Sequence, residues 1–262
     1  MGVYPWVAWF AFRRYTAYPL GSGAEALTNT VFGFIRASVL IALWRARPGL
    51  GGYDTADAVT FCFLTQALIG PVQVFGGMEL TERIRNGDVA IDLYRPTALQ
   101  GWWLADDLGR AAGSLLLRGV LPLVAGALVF PFHWPGPAGA AAFTVAVTLG
   151  VLVSFGLRYL VTLCSFWLHD GRGMDAVALV LSLFFSGMTV PLVVFPSLLG
   201  TVARGLPWAA QIQVPADVYL GKHTGTGLLG ALAFQAVWAM ALLAAGHVLT
   251  GMARRKLVIH GG

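Results

Sequence analysis

The chain has 262 residues, 57% of them hydrophobic and 11% charged, with a mean hydropathy of +0.73. Soluble domains average about 45–50% apolar and about 25% charged, so a bilayer is the expected medium. A sizeable extramembrane domain is excluded, because no polar stretch reaches the roughly 50 residues that one needs. The net charge of +5 would suggest nucleic acid in a soluble protein. Here the cations lie in loops between apolar runs, where membrane orientation accounts for them and no nucleic-acid partner is expected.

The chain is expected to form one transmembrane domain, 1–262, with an interfacial N-terminal segment, 1–20. MGVYPWVAWFAFRRY places its arginines after its apolar residues, the reverse of a secretory signal, so Arg13 and Arg14 read as a cytoplasmic anchor. Six apolar runs then meet the roughly 20 residues that a spanning helix requires: 24–44, 56–76, 108–131, 139–164, 174–194 and 226–249. Six spans leave both termini on one side. That side holds ten of the flanking cations, including Arg83, Arg85, Arg95, Arg110 and Arg172, against Arg45, Arg47, Arg204 and Lys222 on the other. The positive-inside rule therefore places both termini in the cytoplasm. Arg far outnumbers Lys, and Ala and Gly are abundant, so the expected membrane is a bacterial inner membrane.

Between the second and third runs, within the loop 77–100, lies MELTERIRNGDVAIDLYRP, residues 78–96, which concentrates charge in an oily chain. It reads as two short helices. MELTERIR stops at Asn86-Gly87, where Gly tolerates a left-handed backbone. Asp88 is placed to cap VAIDLYR, which Pro96 ends. Leu80 and Ile84 share one face of the first helix, Val89 and Leu93 one face of the second. A loop that only touched the anionic inner leaflet would be basic. This one carries Glu79, Glu82, Asp88 and Asp92 beside Arg83, Arg85 and Arg95, a mixture suited to a protein partner.

The outer connections are a Pro/Gly turn, 131–139, and a longer segment, 195–225. In the latter, Phe195, Leu198, Leu199, Val202 and Leu206 recur at helical spacing between Pro196 and Pro207, which predicts an outer amphipathic helix, with an interfacial loop as the alternative.

Glu25, Arg36, Arg118 and Arg158 fall inside predicted spans, where a charge costs about 2.5–3.5 kcal/mol on insertion scales and invites a functional reading. Arg36 is the deepest and is the candidate for a substrate pathway, with Phe32 and Phe184 as candidate aromatic lining; pairing of Arg36 with another helix and plain packing of the rings stay open. Asp106 and Arg110 have the i,i+4 spacing of an ion pair, with Trp102 and Trp103 as interface aromatics. Cys62 and Cys164 lack metal or redox spacing and read as buried thiols. No HExxH, GxSxG or Walker A pattern occurs, so no catalytic residue, metal or cofactor of the chain's own is expected.

Ile84-Arg85-Asn86-Gly87-Asp88-Val89 followed by Leu93-Tyr94-Arg95-Pro96 resembles the I-x-x-G-x-hydrophobic … L-x-x-P segment of bacterial ABC-2 permeases, closest to a viologen-exporter-like and uncharacterised subgroup. Gly187-Met188-Thr189-Val190-Pro191 with Phe195-Pro196 and Leu206-Pro207 is similar to the end of the fifth span in that group. The resemblance implies an all-α permease subunit, with a coupling helix between spans 2 and 3, that works as a dimer with an identical or sibling chain. A separate ABC subunit would hold ATP and Mg. Glu79, Glu82, Arg83, Ile84, Arg85, Gly87, Asp88, Leu93 and Pro96 would then couple to that ATPase, and the cargo would be a small molecule, an amphiphilic drug in this subgroup, moved outward. Residues 3–18 resemble the interfacial connecting helix of the same fold. An ion-coupled secondary transporter and a membrane assembly protein without transport are the alternatives.

Overall fold

The computed structural model describes residues 2–75, 77–168 and 172–260 and, among them, contains helices and no strands. In chain order these are α1 (Tyr4–Thr16), α2 (Pro19–Ala46), α3 (Thr55–Val72), α4 (Glu79–Arg85), α5 (Val89–Tyr94), α6 (Leu99–Ser114), α7 (Val120–Val129), α8 (Pro137–Cys164), α9 (Arg172–Phe185), α10 (Ser197–Gly205), α11 (Gln213–Tyr219) and α12 (Gly225–His260). A π turn, Leu115–Gly119, joins α6 to α7 in one kinked rod.

Among the described residues, five helical rods are long and apolar enough to cross a membrane: α2, α3, α6 with α7, α8 and α12. The expected fifth span, 174–194, is instead α9 with 14 residues. At 1.5 Å per residue it covers about 21 Å, short of a hydrocarbon core of about 30 Å. Its helix ends before Gly187, whose positive φ of 83° and contact with Gln213 leave no room for a side chain. The expected third span starts near residue 108, but the helix begins at Leu99. The carboxylates of Asp106 and Asp107 do not interrupt it because arginines of α1, α6 and α8 take them.

The second of these rods, α3, is the hub. It is buried on nearly every side, which is why its sequence has no polar face. A capping box starts it: Asp57 N donates to Asp54 Oδ1 at 2.7 Å, and Asp54 N to Asp57 Oδ2 at 2.9 Å. Its other end stops at Val72, four residues before the apolar run does, with Gln73 left-handed at φ 50°. The last carbonyls of α3 are taken by side chains: Arg110 donates to Gly70 O (2.8 Å) and Pro71 O (3.0 Å), and Ser154 to Val72 O.

Packing sorts the remaining elements to the two ends of α3. At one end, Leu80 and Val89 bury against Leu99, Trp103, Phe155, Tyr159 and Leu163, with Leu243 and Leu249 alongside. At the other, Trp44, Tyr53 and Tyr219 cluster with Phe130, Phe132 and Val193. The first end thus gathers α4, α5, the start of α6 and the ends of α8 and α12.

Helix α1 lies along α6. Glycines allow this approach: a Cβ at Gly109 would stand 2.0 Å from the Ala8 carbonyl oxygen. Val7 and Ala11 are buried there while Trp6, Trp9 and Phe10 stay exposed, so the oily sequence does resolve into two faces. The amphipathic helix expected between Pro196 and Pro207 is present as α10; Gly200 and Ala203 face the protein and Leu198, Leu199 and Val202 face away from it.

Candidate functional site

The charged stretch folds as two helices, α4 and α5, hinged at Gly87 with φ 82°. Each sets its apolar face on the spanning helices: Leu80 is fully buried, Ile84 and Leu93 are half-buried, and Val89 is buried. Thr81 Oγ1 and Thr162 Oγ1, 3.1 Å apart, add a polar tie to α8. Asp88 is not the expected side-chain cap. Its φ of −61° and ψ of −19° are helical rather than extended, its carboxylate makes no cap hydrogen bond, and the backbone itself makes the turn, Ala90 N to Gly87 O at 3.1 Å.

The pair is locked from within by Asp92, which is 3% exposed. It accepts from Arg83 Nε at 2.6 Å and from Arg83 Nη2 at 3.1 Å, and Arg95 Nη1 lies 3.2 Å from it. The Asp92 hydrogen bond also raises the Arg83 guanidinium above its ordinary value. The Arg95 guanidinium in turn lies 4.5 Å above the Trp102 ring.

The residues named from sequence therefore divide. Glu79, Glu82, Arg85, Gly87, Asp88 and Pro96 are exposed. Arg83, Ile84 and Leu93 turn inward and hold the unit together. Two residues that the sequence reading passed over, Ile91 (59% exposed) and Tyr94 (90% exposed), stand on the same outer face. Their i,i+3 spacing opposite Val89 and Leu93 was the available signal. Glu82, Arg85, Asp88, Ile91 and Tyr94 make a patch of both charges around two large apolar side chains, the mixture found where proteins dock.

Beneath this unit lies an ion cluster. Asp107 accepts from Arg110 Nε (2.9 Å) and Arg158 Nη2 (2.8 Å), and Arg158 Nη1 donates to Gln73 (2.9 Å). The Asp106–Arg110 pair expected from spacing is absent: Arg110 turns to Asp107 and the end of α3, while Asp106 faces α1 and receives Arg14 at 3.1 Å. Trp103 is buried in the core rather than at an interface. A cavity of about 260 Å³ lies between the end of α3, α8 and α9, lined by Arg158, Asp175, Val74 and Trp208 among others.

The candidate pathway residues do not converge. Arg36 is spent on Thr65 Oγ1 (3.1 Å), Thr189 O (3.1 Å) and Met188 O, pinning the irregular chain after α9 to α2 and α3. Phe32 and Phe184 are 56% and 58% exposed on outer helix faces. Glu25 pairs with Arg118 across helices.

At the opposite end, Asp54, Asp57 and His133 are the one group of metal-ligand type found among the described residues. Its charges are already engaged: Lys222 Nζ sits 2.5 Å from Asp57, and both carboxylates cap α3. Lys222 Nζ also donates to Gly52 O at 3.2 Å. Nearby, Tyr53 Oη bonds to Asp217, and Gln213 Nε2 donates to Tyr53 Oη (3.1 Å) and Asp217 (3.0 Å). Burial raises both the Tyr53 hydroxyl and the Asp217 carboxyl above their ordinary values.

Compared with known families, residues 29–261 match the family described as ABC-2 family transporter protein. The chain belongs to the ABC-2 transporter family. No curated protein and no solved structure matches it. As an ABC-2-type permease it is a membrane subunit and not itself the catalyst of ATP hydrolysis, and an ABC ATP-binding partner is implied. The match spans α4 and α5 and leaves α1 outside it.

Proposed function

We propose that this permease receives the stroke of a separate ATP-binding subunit through the outer face of α4 and α5 and uses it to move a small, amphiphilic molecule out of the cell. The observation that carries this reading is the two-sided build of the unit. Its underside is packed on α6, α8 and α12, so a push on it moves spanning helices rather than a loose loop. Its upper side offers Glu82, Arg85, Asp88, Ile91 and Tyr94 to a partner.

In this reading the α4–α5 end is cytoplasmic, in a bacterial inner membrane. The segment that follows α9, held by Arg36 and Gln213, completes a sixth crossing. Irregular backbone at membrane depth is tolerated where protein surrounds it. A second permease, identical or sibling, completes the pathway between two chains. An ion-coupled mechanism has less support, because Glu25, Asp57 and Asp107 each face a fixed cation.

The test is reconstitution with the ATP-binding subunit and measurement of ATPase activity and transport for Glu82→Lys with Asp88→Lys. The coupling reading expects ATP hydrolysis to become independent of cargo while insertion is retained. Unaltered cargo-stimulated hydrolysis refutes it. Transport that collapses with a protonophore while ATP stays high would favour ion coupling.

A further inference from the structure

A cavity of about 560 Å³ opens between the end of α5, the start of α6 and the later turns of α12, with Tyr4 of α1 in its wall. Arg95, Arg254, His247, Thr97 and Gln100 also line it, and no carboxylate does. Arg254 and His247 are exposed, and neither has a hydrogen-bond or ion-pair partner among the described residues. Arg95 gives Nη1 to Asp92 at 3.2 Å, and its side chain stays 37% exposed. Asp92 is shared with Arg83. One carboxylate therefore faces two guanidiniums there, which leaves one positive charge in surplus beside the cavity, and Arg254 adds a second. Tyr4 Oη accepts from Ala98 N at 3.3 Å, and its own O–H is left to donate.

Cations gathered in one hollow repel each other, and the apolar part of the wall, Leu93 and Leu99, strengthens their field. An anion relieves that repulsion. The arginine fork and the free O–H suit a group with several oxygens, as in phosphate. Membrane orientation accounts for cations spread along a surface, but not for a surplus collected in a pocket without an acid. The level of the pocket points the same way. The apolar rod of α12 runs as far as Arg255, so Arg254 stands at its end. Trp6, Trp9 and Phe10 of the neighbouring α1 are exposed, as aromatics at a membrane surface are. Basic pockets between spanning helices on the cytoplasmic side are where anionic headgroups bind.

We propose that this pocket binds a phosphate group, carried by an anionic bilayer lipid or free in solution. Its place at the inner leaflet rests on the orientation proposed above. Binding itself is measured on the permease alone, without ATP or a partner subunit. Failure here leaves the coupling reading intact, and failure of coupling leaves this site intact.

Delipidated full-length permease in detergent micelles is titrated with dioleoylphosphatidylglycerol, with dioleoylglycerol, which lacks the phosphate, and with inorganic phosphate. Bound species are counted by native mass spectrometry for the native chain, Arg254→Gln, Arg95→Lys and Arg255→Gln. Arg254→Gln removes the unpaired guanidinium. Arg95→Lys keeps a charge beside Asp92 and deletes the fork. Arg255→Gln removes the same charge from a residue that does not line the pocket. The expected result is one phospholipid per chain, held about tenfold more tightly than the diacylglycerol, with about a tenfold loss in Arg254→Gln, a smaller loss in Arg95→Lys and none in Arg255→Gln. Displacement by millimolar inorganic phosphate would assign the site to free phosphate, and resistance to it would assign the site to lipid. Equal retention of dioleoylglycerol, absence of binding, or unchanged affinity in Arg254→Gln of native thermal stability would overturn the proposal. Equal losses in Arg254→Gln and Arg255→Gln would overturn it too, since general surface charge would then account for the binding. Should Arg254→Gln fail to fold, Arg95→Lys still reads the missing fork.

Discussion

Removing the Asp92 carboxylate with Asp92→Ala is expected to loosen α4 and α5 without unfolding the membrane bundle. The carboxylate is the common acceptor for Arg83, at 2.6 and 3.1 Å, and for Arg95, at 3.2 Å. Breaking a fully buried pair costs about 3–5 kcal/mol, because a charge is stranded. Here both arginines are partly exposed and regain water when released, so the loss falls nearer the value of charged hydrogen bonds, about 2 kcal/mol. That corresponds to roughly a 30-fold rise in local opening. Hydrogen exchange of the α4 and α5 amides in nanodiscs reads it directly. Asp92→Asn keeps the shape and one acceptor and is expected to fall between the two. Transport should drop in the same order while the melting temperature of the bundle holds. Unchanged exchange of these amides in Asp92→Ala would refute the clamp.

Three further substitutions bear on the scaffold. Gly109→Ala drives a methyl into the Ala8 carbonyl, so α1 should detach and become accessible to protease with a loss of about 1–3 kcal/mol, and native protection would count against the packing. Arg36→Leu frees the Met188 and Thr189 carbonyls and should raise exchange after α9, a change whose absence would show that the arginine does not pin that segment. Burial raises the folded-state carboxyl of Asp217, so the folded protein binds its proton more tightly than the unfolded chain. Its contribution to stability is then present at acid pH and lost as pH rises from about 4 through the folded value. Asp217→Asn should therefore gain in relative thermal stability as pH rises above about 4, and parallel pH profiles would contradict the assignment.

The apolar runs and the charged stretch made the all-helical membrane architecture and the two short helices of the charged stretch legible from sequence, because both follow from local patterns. Gly87 marked the hinge, and Leu80, Ile84, Val89 and Leu93 marked the underside. What local pattern did not carry was pairing over distance. Asp106 was placed with Arg110 by spacing alone, whereas Asp107 sits a turn of about 100° further round and meets Arg158, 51 residues away. The early end of α3 depends on Arg110 and Ser154, which lie on other helices. Arg83 looked like a surface charge because its acceptor, Asp92, belongs to the next helix. Hydropathy gave the fifth run as one long helix, since it registers composition and not the break that Gly187 and Gln213 impose.

The most direct test of the account is purification of the tagged permease in mild detergent, with and without Ile91→Ala and Tyr94→Ala, followed by assay of vanadate-sensitive ATP hydrolysis. The account predicts that an ATP-binding subunit co-purifies with the native chain and that the double variant loses it while remaining folded. Retention of the same ATPase by the double variant, or its absence from the native preparation, would contradict the central claim that α4 and α5 form the docking face.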